Sequence, residues 1–150
     1  MADNANESST PNYTMGYGNP NTIWMNRRSA ATHASLLLPH LKPGMRMLDA
    51  GYGPGSISVG LAAAVAPGEF IGVDMEESQI AFASAAVTRE GLSNTQFQIA
   101  DVLKLPFPDN HFDAIHCHAL LMHVPDTMAA LAELKRVQAW WNHRGGGFYR

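Results

Sequence analysis

Met47-Leu48-Asp49-Ala50-Gly51-Tyr52-Gly53-Pro54-Gly55-Ser56 is the stretch whose reading decides the fold. An apolar run closes on an acid, three glycines follow at alternate positions, and an amphipathic segment opens at Ser56. That order reads as a strand, a tight turn and the N-terminus of a helix. Glycine allows the turn a positive φ and lets a ligand come close to the backbone. The first N–H groups of the helix lack intrahelical partners and carry a partial positive charge. Such a place suits an anionic or carboxylate-bearing nucleotide cofactor. The dinucleotide fingerprint G-x-G-x-x-G/A does not fit it. Counted from Gly51, the third small residue falls at Ser56 while the glycine stands at Gly55; counted from Gly53, it falls at Ser58.

Working outward, residues 1–22 are rich in Asn, Ser, Thr, Pro and Gly and offer little to bury, so they are expected to form a mobile N-terminal segment. Residues 23–137 read as one domain and 138–150 as a separate tail. A helix is expected over 24–38, ended by Pro39, and a strand over 45–50 after the turn Lys42-Pro43-Gly44. A helix over 57–65 stops at Pro67-Gly68, and a second strand over 70–73 has Asp74 at its end. The spacing then predicts a helix over 76–90 with Gly91 as its terminator, a strand over 96–99 leading to Asp101, a strand over 112–117, and a helix over 127–137. Strands alternating with helices imply an α/β, Rossmann-like, doubly wound parallel sheet with right-handed crossovers. It is an incomplete one, of four strands and their helices.

Composition narrows the function. The 150 residues are 46% hydrophobic, enough for one domain with a core. The formal net charge is −3 with no basic stripe, which argues against a nucleic-acid partner. The single cysteine, Cys117, excludes an internal disulfide and suits a reducing, cytoplasmic setting. No apolar run is long enough for a membrane span, and no signal-peptide pattern opens the chain.

In open parallel sheets, ligands bind beyond the carboxyl ends of the strands. Asp74 there can accept hydrogen bonds from both ribose hydroxyls of a nucleoside, and Asp101 from an exocyclic amine such as adenine's. Asp49, Asp74 and Asp101 each also suit a turn or a helix cap. Three acids at successive strand ends favour a nucleoside. His116 and His118 share one strand face, but no third ligand is evident, so no metal site is expected.

From about Tyr13 to Val137 the chain resembles class I S-adenosylmethionine-dependent methyltransferases, above all the branch with the ubiquinone/menaquinone-biosynthesis enzymes. The glycine turn carries the resemblance, together with Leu38-Pro39-His40-Leu41-Lys42-Pro43-Gly44, Gly72-Val73-Asp74, Ala100-Asp101-Val102, Leu105-Pro106-Phe107-Pro108-Asp109, Phe112-Asp113-Ala114-Ile115 and Leu121-Met122-His123-Val124-Pro125-Asp126. It implies that Gly51, Gly53 and Gly55 face the methionine part of S-adenosyl-L-methionine and that Asp49 orients their loop. Asp74 would hold the ribose, Met75 would lie against adenine, and Asp101 and Val102 would bind the adenine edge. His118 would approach the methionine moiety through its backbone, and Tyr13 and Gly16 resemble a segment that folds over the cofactor. Tyr52 stands where the family often has Cys, either crowding the turn or lining the pocket.

The implied reaction is methyl transfer from a sulfonium to a small organic acceptor, a task of positioning and water exclusion. His118 and His123 are the candidates for a general base, should the acceptor need one. A structural role competes for both. After Val137 the family pattern, Leu-Lys-Pro-Gly-Gly and a fifth strand, is replaced by Gln138-Ala139-Trp140-Trp141-Asn142-His143-Arg144 and a glycine-rich end. Read one base later, the codons of Trp140-Trp141-Asn142 give Gly-Gly, and permitted codons for 138–149 give Lys-Pro-Gly-Gly-Thr-Ile-Ala-Ala-Gly-Asp-Phe. The expectation is a frameshift, intron misprediction or sequencing error over 138–150, which the gene's nucleotide sequence tests; a divergent tail and a lone RNA-contacting Arg-Gly-Gly are the alternatives. Without the later strands, the fourth strand is expected to be an open edge prone to self-association. The function expected first is an S-adenosylmethionine-dependent methyltransferase. The alternative is an inactive fragment that only binds S-adenosylmethionine or a partner chain. A nicotinamide-dependent dehydrogenase is disfavoured by the glycine spacing.

Overall fold

The computed structural model describes residues 27–139. Four strands, β1 (Met47–Ala50), β2 (Phe70–Asp74), β3 (Thr95–Ile99) and β4 (Ala114–Cys117), form one sheet in the order β3-β2-β1-β4. Every pairing is parallel. The α-helices are α1 (Ala30–His33), α2 (Ser58–Val65), α3 (Ser78–Arg89) and α4 (Thr127–Val137), with 3-10 turns at Leu38–His40 and Leu121–His123. The architecture is Rossmann-like.

The central strands β1 and β2 bury both faces, as parallel strands covered by helices do, while β3 and β4 at the edges are only partly covered. Leu48, Ala50, Ile71 and Val73 pack with Ala130 and Leu134 of α4. On the opposite face Met47, Phe70 and Ala114 pack with Leu61 and Val65 of α2. This is the period-two alternation of a strand serving two cores. Strands β2 and β4 leave β1 on opposite sides, so the strand order reverses at β1 and opens a crevice beyond Ala50.

Several expected elements are shorter than anticipated, β1 among them, which begins at Met47 rather than 45. Within the described part of 24–38, the α-helix is only Ala30–His33. Ser29 caps it and accepts from the Thr32 amide, and the chain leaves helical geometry at Ala34. Leu36 is 89% exposed, so the leucine run gives no buried helical face. Pro39 cannot donate to a continuing helix and instead sits in the first turn of the 3-10 segment. Helix α3 begins at Ser78 rather than 76, because the Asp74 carboxylate holds the Glu76 amide at 3.0 Å in the turn before it. In β4 the ladder begins at Ala114; Phe112 bridges to Gln138 instead. Among the described residues, the ladder of β4 runs with β1 alone, and that bridge, with the Ala139 amide donating to the Phe112 carbonyl at 2.7 Å, lies outside it.

Candidate functional site

The glycine turn leaves β1 with Gly51, Gly53 and Gly55 at φ +76°, +54° and +83°. All three values lie in the left-handed region that residues with a Cβ adopt only with strain. Gly55 adds a second constraint: a Cβ there would lie 2.7 Å from the Ala83 Cα, so the missing side chain lets α3 pack against the turn. The Gly53 amide donates to Asp74 Oδ2 at 3.0 Å, while the Glu76 amide donates to Oδ1 at 3.0 Å. One carboxylate thus ties the turn after β1 to the turn after β2. Burial pushes the Asp74 carboxyl above its usual range, against the lowering effect of these amides. Each oxygen keeps capacity for a further donor.

A cavity of about 250 Å³ occupies the crevice. Its walls bring together Asp49, Gly51, Gly53, Asp74, Met75, Val102, His118 and His123 of the residues singled out from sequence. Met75 is half exposed, and Val102 is buried. Two expected residues are not on the wall. Gly55 is turned to α3. Asp101 is exposed, and its Oδ1 accepts from the Leu103 amide at 2.9 Å, closing a turn. Tyr13 and Gly16 lie outside the described residues.

Asp49 bonds to a helix and to the neighbouring strand. Its side chain is buried, Oδ2 accepts from Ser58 Oγ at 2.6 Å, and Oδ1 meets His116 Nδ1 at 2.8 Å. His116 also lines the cavity. The sequence pattern singles out His116 only as half of a pair with His118 that lacks a third metal ligand. The missed signal was register: Asp49 and His116 are each third in their strands, and β1 and β4 pair in step. The ring of His118 lies parallel to that of His116 at 6.4 Å and meets His33 edge-on at 5.1 Å. Burial holds the His118 imidazole below its usual range, with help from the charges of Arg28, His33 and His116 and against that of Asp49. Tyr52 lines the cavity and also fills the space over Gly72, its ring 4.8 Å from Phe97. Leu120 packs over Gly51, where an added Cβ would lie 3.1 Å from its Cδ1.

Residues 41–140 match the family described as a methyltransferase domain. The chain belongs to that family. An uncharacterized methyltransferase of Schizosaccharomyces pombe is 40% identical over 116 residues, covering 73% of this chain and 42% of that protein. A demethylmenaquinone methyltransferase of Geobacillus kaustophilus is 36% identical over 99 residues, covering 65% of this chain and 42% of its own length. Among solved structures, a SAM-dependent methyltransferase from Aquifex aeolicus superposes with a TM-score of 0.68 at 27% identity, covering 81% of this chain and 68% of that one. The chain spans about half the length or less of the curated relatives it matches first. Among the described residues, no helix is long and apolar enough to cross a membrane.

Proposed function

We propose that this methyltransferase domain binds S-adenosylmethionine in the cavity beyond β1 and serves methyl transfer to a small organic acceptor. The observation that carries the reading is the Asp74 carboxylate, held by the Gly53 and Glu76 amides at the cavity wall with acceptor capacity to spare. That suits a vicinal diol. Gly51, Gly53 and the His118 backbone would take the methionine end, Asp74 the ribose, and Met75 and Val102 the base. Asp101 joins them only through its backbone or its second oxygen. The bound cofactor supplies an activated methyl group with a neutral leaving group. The chain's own work is to orient it and keep water away, with apolar Ile57, Leu120 and Val124 on the wall. His118, kept neutral, and His123 stand on the same wall as candidate proton acceptors.

A second reading, binding without turnover, draws support from the outer side of β4, which has no strand beside it among the described residues. Self-association through that edge, the tail boundary at 138 and a cytoplasmic setting belong to the same set of proposals. Net charge of −3 supports a small molecule over a nucleic acid. The test is calorimetric titration of the full chain with S-adenosylmethionine beside Asp74→Ala. Saturable binding, lost by roughly a hundredfold or more in the variant, is expected, since charge-assisted bonds to both hydroxyls disappear. Absent binding by the folded wild type refutes the reading. Affinity should also fall on acidification, because the hydroxyls donate to the ionised carboxylate, whose proton is lost only above the usual carboxylate range. Turnover assays then separate the two readings.

A further inference from the structure

We propose that Met75 makes the cavity beyond β1 sensitive to peroxide: oxidation of its thioether to the sulfoxide closes the site to S-adenosylmethionine, and bound cofactor shields the same residue. The inference rests on the methyltransferase reading above and adds to it a redox control that acts on the empty site.

Met75 follows Asp74 at the carboxyl end of β2. It lines the cavity and is 52% exposed, so a small oxidant reaches a side chain that the base of the cofactor would cover. Around it the wall is apolar, with Val73 of β2 and with Ala100 and Val102 after β3. A thioether suits such a surface, being polarisable and only a weak acceptor. A sulfoxide places a strongly polar oxygen there, and that oxygen needs a donor. The backbone amides of this corner are already engaged. Those of Gly53 and Glu76 donate to the Asp74 carboxylate, and that of Ala100 donates to the Asp74 carbonyl at 3.0 Å. In the empty site, water meets the sulfoxide oxygen. A base laid face-on over it excludes that water and leaves the oxygen unpaired, so the oxidised protein loses cofactor affinity.

In the step, a sulfur lone pair attacks one oxygen of hydrogen peroxide. The S–O bond forms as the O–O bond breaks, and sulfur gives up two electrons. The departing hydroxide takes the proton of the attacked oxygen and leaves as water. Enzymatic reduction of the sulfoxide restores the thioether. The other methionines of the described residues supply the contrast. Met47 is buried and Met45 is partly buried against the core on the α2 face of the sheet. Met122 and Met128 are 76% and 75% exposed, but neither lines the cavity. They are open to the same oxidant without bearing on the cofactor, and so serve as internal references for exposure.

The test treats the full chain with hydrogen peroxide and reads each methionine by peptide mass spectrometry. Calorimetry then measures S-adenosylhomocysteine affinity, each protein against its own untreated sample. Once Met75 is oxidised, wild-type affinity should fall roughly tenfold or more. Met75→Leu, similar in volume but without sulfur, should keep its own starting affinity through the same treatment. A wild type that retains its affinity with Met75 oxidised overturns the proposal. An equal loss in Met75→Leu also overturns it, and assigns the effect to another methionine or to Cys117. A protection measurement needs no variant: saturating S-adenosylhomocysteine should slow oxidation of Met75 by about tenfold while Met122 and Met128 react as before. Oxidation of Met75 at the same rate with and without S-adenosylhomocysteine overturns the proposal. An untreated wild type that binds no S-adenosylhomocysteine removes the methyltransferase reading itself, and the redox control falls with it.

Discussion

Tyr52 shows how one side chain serves packing at its own expense. Its ring covers Gly72, where a Cβ would come 2.9 Å from it, yet its hydroxyl is buried with no hydrogen-bond partner among the described residues. Burial and the charge of Asp74 push the phenol well above its usual range, so it stays protonated. A buried unsatisfied hydroxyl is a net cost. Tyr52→Phe is therefore expected to stabilise the chain by about 1 kcal/mol, read as a higher urea midpoint. Gly55 is the opposite case. Gly55→Ala meets both a φ of +83° and the Ala83 backbone at 2.7 Å, and should destabilise by about 2–4 kcal/mol in the same assay. The family resemblance implies a cofactor-facing role for Gly55 together with Gly51 and Gly53. Only the packing of α3 shows that this one answers to a helix instead.

Helix α4 shows what an element's ends accomplish. Asp126 caps its start, accepting from the Ala129 amide at 2.9 Å, and the helix spans the 127–137 expected from its pattern. Near its end, Arg136 reaches Glu133, Asp109 and the carbonyls of Leu105 and Phe107. Glu133 in turn accepts from the Leu105 amide at 2.9 Å. The cluster fastens the turn after β3, and with it Val102 of the cavity wall, to α4. The hydrogen bond from Arg136 holds the Glu133 carboxyl below its ordinary value of 4.5. A depressed carboxyl stabilises the fold at pH values above that ordinary range, and the contribution is lost as pH falls through the lower folded value. Glu133→Gln should accordingly lower the urea midpoint at pH 7, and the gap to wild type should close in acid. A gap that persists unchanged below pH 4 would mean the carboxylate's charge is not what holds the turn. Element boundaries were legible where apolar spacing and caps agreed, as in α4. They were not in 24–38, where the leucines look helical in sequence but Leu37 and Leu38 reach the core from a turn while Leu36 points to solvent.

At the scale of the molecule, the sheet separates two cores. Leu61 belongs to one and Leu134 to the other, so they share no partners. Each truncation to Ala is expected to cost about 2–5 kcal/mol, and the double variant should equal the sum within about 0.5 kcal/mol. A larger deviation in chemical unfolding would mean that the sheet transmits strain between its faces. The apolar runs, the glycine turn and the acids at strand ends determined by themselves that this chain builds a parallel α/β sheet with a crevice at its carboxyl edge. Those features are local, and local chemistry selects strand, turn and helix. Tertiary structure alone decided which glycine serves the cavity and which serves a helix, and that Asp101 closes a turn. It also joined Asp49 to His116, because strand register, set by burial on both faces of the sheet, determines which side chains meet across a distance in sequence.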